Sequence, residues 1–214
     1  GVGLSPWWAP ALGKAAMKVG SVIMWATDLQ PFFMGILVSV FVGIALTLPI
    51  SSAAICAALG LTGLAGGAAV AGCCAQMVGF AVMSFRENKW GGLVSQGIGT
   101  SMLQMGNIVR NPRIWIAPIV TSAITGPIAT CLFRLQMNGT AVSSGMGTCG
   151  FVGQIGVYTG WMNDIAEGTK TAVTAMDWAG LFLISFILPA VLCPLINMFV
   201  RKLGWVKDGD MTLS

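Results

Sequence analysis

Four uncharged polar residues, Gln96, Thr100, Gln104 and Asn107, follow one another at spacings of four, four and three. On a helix, residues three and four apart stack on the same side, so the spacing predicts a single polar face. The face sits in residues 91–109, a stretch without charge but rich in Gly, Ser, Thr, Gln and Asn. Amides and hydroxyls both donate and accept hydrogen bonds, which suits a neutral polyol such as a sugar. The same groups serve equally to bond one buried helix to another. Gln76, alone in its apolar surroundings, reads as a bond of that second kind.

A second constellation runs from Gln136 to Glu167. Glycines fall at 145, 147, 150, 153, 156 and 160, and glycine lets a backbone approach another backbone or a ligand closely. Asn138, Thr148, Gln154 and Asn163 supply polar side chains, and Tyr158 and Trp161 supply flat faces for a sugar ring. Asp164 and Glu167 are acids near a segment end, where a solvated loop explains them as well as a site does. Irregular backbone at membrane depth survives only inside protein or along a cavity, so a broken, solute-facing segment is expected over 141–161. Packing of small residues between helices is the competing explanation. Gly145, Gly147 and Gly150 match a dinucleotide fingerprint in spacing, but no βαβ unit surrounds them, and that site is excluded. Asn138-Gly139-Thr140 reads as a turn at a helix end rather than as a glycosylation site.

Other chemistry is missing. The chain has no histidine, which removes histidine-based proton transfer, haem ligation and histidine zinc sites. Its six cysteines include no CxxC pair and lie mostly in apolar stretches, so they read as small buried hydrophobes. No Walker A sequence is present, and no Asp or Glu falls inside an apolar span, which disfavours proton coupling. The expectation is a protein with no cofactor, no metal and no catalytic residue of its own.

The elements that must position these residues are membrane helices. Only 18 of 214 residues are charged, or 8 %, against about 25 % in soluble domains. Hydrophobic residues make up 56 %, and the mean hydropathy is +0.83. Residues 29–85 contain no charge at all. Spans are predicted near 32–48, 64–85, 114–133 and 178–200, each close to the ~20 apolar residues that crossing requires. Residues 51–63, 91–109 and 141–161 are candidates for re-entrant or broken segments. The expected class is therefore an all-α integral membrane protein of about four spans plus Gly-rich re-entrant pieces. Residues 1–28, with a helix expected over 14–28, are read as an interfacial amphipathic helix or the end of a truncated N-terminal part, and 29–214 as one membrane domain. The start Gly-Val-Gly, without methionine or a secretory layout, suits a piece of a longer protein.

Basic residues orient membrane proteins, since cytoplasmic loops are enriched in Lys and Arg. Lys14 and Lys18, Arg86 and Lys89, Arg110 and Arg113, and Arg201, Lys202 and Lys207 flank the predicted spans. If 91–109 does not cross, all these clusters share one side, and the net acidic loop 163–177 lies opposite. Both chain ends are then cytoplasmic. Trp90, Trp115, Trp178 and Trp205 stand at segment ends, as interfacial anchors do. The scattered basic charge gives no nucleic-acid surface.

Several stretches carry a family resemblance. They are Arg134-Leu-Gln-Met-Asn-Gly-Thr140, Ser144-Gly-Met-Gly-Thr-Cys-Gly-Phe-Val-Gly-Gln154, Gly160-Trp-Met-Asn-Asp-Ile165 and Phe199-Val-Arg-Lys-Leu-Gly-Trp-Val-Lys-Asp-Gly-Asp210. Together they resemble the membrane domain of bacterial phosphotransferase-system proteins, the EIIC-like family that includes proposed regulators of the perfringolysin toxin gene. The resemblance implies a homodimeric sugar permease of the bacterial cytoplasmic membrane that serves EIIA- and EIIB-type phosphorylating partners. At most the chain is then the translocating subunit of an enzyme complex. Better-known relatives place a Glu and a His near the sugar; this chain has no His, and Glu167 is the nearest match to the Glu. The alternative is a membrane sensor or regulator that keeps the fold without transport.

Overall fold

The computed structural model describes Trp25 and residues 30–213. Apart from Trp25, the helix expected over 14–28 lies outside the described residues, as does the expected division at residue 28. Ten α-helices follow in order: α1 Pro31–Thr47, α2 Ser52–Ala58, α3 Gly63–Met83, α4 Phe85–Val94, α5 Met105–Arg110, α6 Ile116–Pro127, α7 Ala141–Ser144, α8 Val152–Ala166, α9 Ala175–Phe182 and α10 Leu188–Lys202. The described residues contain no strand; Gly63 and Met137 form one isolated backbone bridge, with both N–H···O distances 3.0 Å. The chain is an all-α membrane protein, as the composition predicts.

Three continuous helical stretches are long and apolar enough to cross a bilayer: Gly63–Met83, Pro112–Leu132 and Ala175–Lys202. The 21 residues of α3 measure about 30 Å, the thickness of a hydrocarbon core. Helix α1 is shorter, at 17 residues. Local sequence sets the boundaries. Pro31 pre-sets the first turn of α1, and the residue before Pro49 turns extended and ends it. The Ser51 hydroxyl accepts from the Ala54 amide to cap α2. Thr174 and Asp177 form a reciprocal capping box at α9. Beside Pro127 and Pro189 the helices widen into π turns at Ile128–Leu132 and Leu183–Ile187, as helices do where proline removes a ladder bond.

Helix α3 is the hub. Its apolar window is 94 % buried, against 33 % for the Ala175–Lys202 stretch, so α3 is wrapped in protein and α9–α10 form an outer wall. Small residues make that possible. A Cβ at Gly72 would collide with the Ser39 carbonyl on α1, and one at Gly67 with the Leu135 carbonyl.

Side-chain contacts fix the directions. Ser39 lies against Gly72, and Thr47 donates to Gln76 at 3.3 Å, so α1 and α3 run parallel. Helix α6 opposes both: Ser39 donates to the Ser122 carbonyl at 2.8 Å, and Thr130 to the Pro31 carbonyl at 2.8 Å. Ser185 lies near Cys74 through Gln154, and Cys193 packs on Gly79, so α9–α10 run with α3. Parallel α1 and α3 correct one expectation. The first two predicted spans do not form an up-down pair, because 48–62 returns along the bundle and brings α3 back to the end where α1 starts. If Arg86 and its neighbours mark the cytoplasmic end, α1 starts at the other one.

The segments 85–111 and 133–166 do not run through the bundle. The first leaves the end where Glu87 meets Arg201, reaches Gly97 against Ala81 and Ser101 against Thr47, and comes back to Asn111 beside Trp205. The second leaves the opposite end at Asn138, packs Gly147 on Cys73 and Cys74, and returns to Asp164 beside Asn138. One end of the bundle carries Arg86, Lys89, Arg110, Arg113, Arg201, Lys202 and Lys207 against Glu87, Asp208 and Asp210. The other carries Arg134 and Lys170 against Asp164, Glu167 and Asp177.

Candidate functional site

The hairpin at the basic end breaks at Thr100, whose backbone is extended (φ −159°, ψ 143°). Gln96, Thr100, Gln104 and Asn107 are thus not one face of one helix, which corrects the sequence expectation. Glycines 97 and 99 and the π turn over Ser95–Gly99 precede the break. Three of the four still come together as a ladder of amides. Asn107 Nδ2 donates to Gln104 Oε1 at 2.8 Å, Gln104 Nε2 donates to Gln96 Oε1 at 2.9 Å, and Gln96 Nε2 donates to the Ser84 hydroxyl at 2.9 Å. Gln96 and Gln104 are fully buried. Thr100 stands apart and caps the next turn by accepting from the Met102 amide.

The ladder clasps the C-terminal segment. Gln104 and Asn88 both donate to the Met211 carbonyl, at 3.0 and 2.8 Å, and Asn107 donates to the Thr212 carbonyl at 3.0 Å. Glu87 accepts from the amides of Gly209 and Met211 and from Arg201. The side chain of Met211 is wholly buried. Sequence reasoning missed this partner because its side of the bonds is backbone, which leaves no residue-type signal.

At the tip of the other hairpin, Gly147, Gly150 and Phe151 take positive φ of 54°, 52° and 57°. The glycines that mimic a dinucleotide motif therefore serve a reversal of the chain. Thr148, fully buried, donates to the Gly97 carbonyl at 2.5 Å, joining the two tips near the middle of α3. Behind them lies a buried polar core. Gln76 Oε1 accepts from Trp115 Nε1 at 2.8 Å and from Thr47, and Gln76 Nε2 donates to Ser122. Gln154 Nε2 donates to the Ser185 hydroxyl at 3.0 Å, while its buried Oε1 has no partner.

The polar end of this hairpin encloses a cavity of about 450 Å³ lined by Gln136, Asn138, Trp161, Asp164, Glu167, Lys170 and Asp177, among others. That volume lies in the range of small-molecule sites. Asn138 Nδ2 bridges both Asp164 oxygens at 2.9 Å. Lys170 pairs with Asp177 at 2.7 Å and stands 5.4 Å from the centre of the Trp161 ring, a cation–π arrangement. Amide, carboxylate, ammonium and indole thus border one space, where the polar groups can donate to and accept from hydroxyls. Of the sequence candidates, Asn138, Trp161 and Glu167 line it. Asn163 is exposed beside it, and Tyr158 turns outward against Trp178, with ring centres 5.8 Å apart. Gln136, Lys170 and Asp177 were not singled out; the net acidic loop was the available signal. Among the described residues, no cluster of His, Cys, Asp or Glu could hold a metal ion.

A family model described as "Phosphotransferase system, EIIC" matches residues 1–213. No curated protein and no solved structure matches the chain.

Proposed function

The chain belongs to the phosphotransferase-system EIIC family, and from that premise we propose that it is a permease for a sugar or another small neutral polyol. The observation that carries the reading is the contact between Thr148 and Gly97, where two hairpins entering from opposite ends meet near the middle of the bundle. Such a junction closes a path from both sides with one hydrogen bond, and parting either hairpin opens one side only. That is the logic of alternating access around a site built from broken helices.

In this reading the acidic-end cavity takes the solute first, with Trp161 behind the ring and Asn138, Asp164 and Glu167 on its hydroxyls. Thr148 and Gln154 are the next polar groups inward, and Ser185 belongs to the same step. The amide ladder of Gln96, Gln104 and Asn107, with Thr100 at its break, forms the inner gate. Asn163 borders the outer rim, and Tyr158 stands outside it against Trp178. The basic end faces the cytoplasm of a bacterium, where EIIA- and EIIB-type proteins phosphorylate the arriving solute, and trapping by phosphorylation supplies the drive.

Uptake of labelled polyols by the full-length protein in proteoliposomes tests this. Saturable uptake is expected, with the half-saturating concentration raised about tenfold in Asn138→Ala or Trp161→Ala, equivalent to roughly one lost polar contact. A disulfide between Cys introduced at Gly97 and at Thr148 should stop uptake, and reduction should restore it. No binding and no uptake across a broad sugar panel would sink the permease. The satisfied, sealed amide ladder would then favour the sensor reading, whose mark is a protein partner without flux.

A further inference from the structure

At the basic end, α3, α4 and α10 enclose a second cavity of about 250 Å³, lined by Val82, Met83, Arg86, Pro194, Asn197, Met198 and Arg201. It is separate from the solute path, and three features describe its ligand. Asn197 is only 4 % exposed, yet its carboxamide makes no hydrogen bond among the described residues and its Oδ1 is buried without a partner. Buried amides are normally satisfied, so this one awaits a partner, and Nδ2 is the atom left open to meet it. Arg86 is exposed and makes no ion pair among the described residues. Arg201, by contrast, is already held by Glu87 and Asp208, so the uncompensated charge at the cavity is that of Arg86. Finally, the rim is apolar: Met198 is 57 % exposed, and Leu195, one turn back on α10, is 56 % exposed. The cavity thus opens where the apolar outer wall of α10 gives way to the basic end.

A charge of +1, an unpartnered carboxamide in the cavity wall and an apolar wall leading away describe one phosphodiester with a hydroxyl beside it and acyl chains outside. We propose that this cavity binds the headgroup of an anionic, hydroxyl-bearing phospholipid of the phosphatidylglycerol type. The phosphate lies against Arg86, with Arg201 as a second donor. Asn197 Nδ2 donates to a glycerol oxygen, and the chains run along Met198 and Leu195. Basic pockets between membrane helices on the cytoplasmic side are suited to such headgroups.

The test uses the full-length protein in nanodiscs of phosphatidylcholine with or without phosphatidylglycerol. Lipid retained after extraction is counted by native mass spectrometry, and thermal stability is read in parallel. Phosphatidylglycerol should be retained in preference to phosphatidylcholine and should raise the melting temperature. Arg86→Gln should melt normally in phosphatidylcholine while its affinity for phosphatidylglycerol falls about tenfold, the scale of one charge-assisted hydrogen bond. Asn197→Leu should melt higher than the parent in phosphatidylcholine, because it removes the orphaned amide, and should lose the lipid preference. Equal retention of the two lipids by the parent, or parental preference in both variants, overturns the proposal. Inorganic phosphate forms the third arm: stabilisation by phosphate alone, matching that by the lipid and lost in Arg86→Gln, assigns the cavity to a free anion and overturns the lipid. None of these readouts depends on solute transport.

Discussion

Single residues in this protein are chosen for what backbone allows them to touch. Gly72 is the sharpest case: a Cβ there would overlap the Ser39 carbonyl, and a carbonyl held in a helix cannot step aside. Gly91 is its natural control, since it sits in a helix with open space around its Cα. Gly72→Ala should therefore destabilise the protein by about 1–3 kcal/mol, the usual cost of overfilling a packed interior. Gly91→Ala should be neutral or stabilise by a few tenths to about 1 kcal/mol, because it stiffens the unfolded chain. Melting temperatures of the two variants in the same detergent check this; an equal response would mean that α1 and α3 are not in backbone contact. The sequence separates the two in part: Gly72 lies in a run of small and apolar residues, whereas Gly91 follows Arg86, Glu87 and Lys89. It does not show which backbone Gly72 meets. The same holds for Gln104: its spacing from Gln96 and Asn107 was legible, whereas its engagement of the Met211 carbonyl was not.

Among the elements, the long apolar helices were legible and the breaks were legible only in part. Apolar length placed α3, the Pro112–Leu132 stretch and Ala175–Lys202 close to their observed bounds, because burying some 20 apolar residues outweighs local preference. Glycine density marked 91–109 and 141–161 as irregular, but not where each reverses. The reversal at Thr100 lies beside a contact that is distant in the chain, the Ser101–Thr47 hydrogen bond at 2.9 Å. The strap at 205–213 was not legible as an element at all. It spends backbone amides and carbonyls on Glu87, Asn88, Gln104 and Asn107, so its removal should loosen one hairpin and spare the other. Truncation after Lys207 should raise hydrogen exchange of backbone amides in 95–107 by about tenfold or more, as loss of even one or two buried hydrogen bonds would, and leave 141–166 unchanged. Equal loosening of both hairpins would show that the strap supports the whole bundle instead.

At the scale of the molecule, the two ends differ in charge, and that difference outranks the order of the helices as a guide to orientation. Seven basic residues face three acids at one end, and two basic residues face three acids at the other, over the described residues. Reading spans as simple alternation placed the start of α1 at the basic end; the parallel course of α1 and α3 places it at the acidic end, because 48–62 returns along the flank of the bundle. Composition shows no difference between a segment that runs back along the bundle and one that turns at its end, since both are apolar and short. The charge rule holds in either case, because the cost of moving Lys and Arg across the bilayer does not depend on the path between them. In the full-length protein with its native cysteines replaced, Lys207→Cys should react with a membrane-impermeant maleimide only after cells are opened. Asn163→Cys should react in intact cells. The opposite pattern would put the polar cavity in the cytoplasm, and a solute meeting Trp161 and Asn138 there would be leaving the cell rather than entering it.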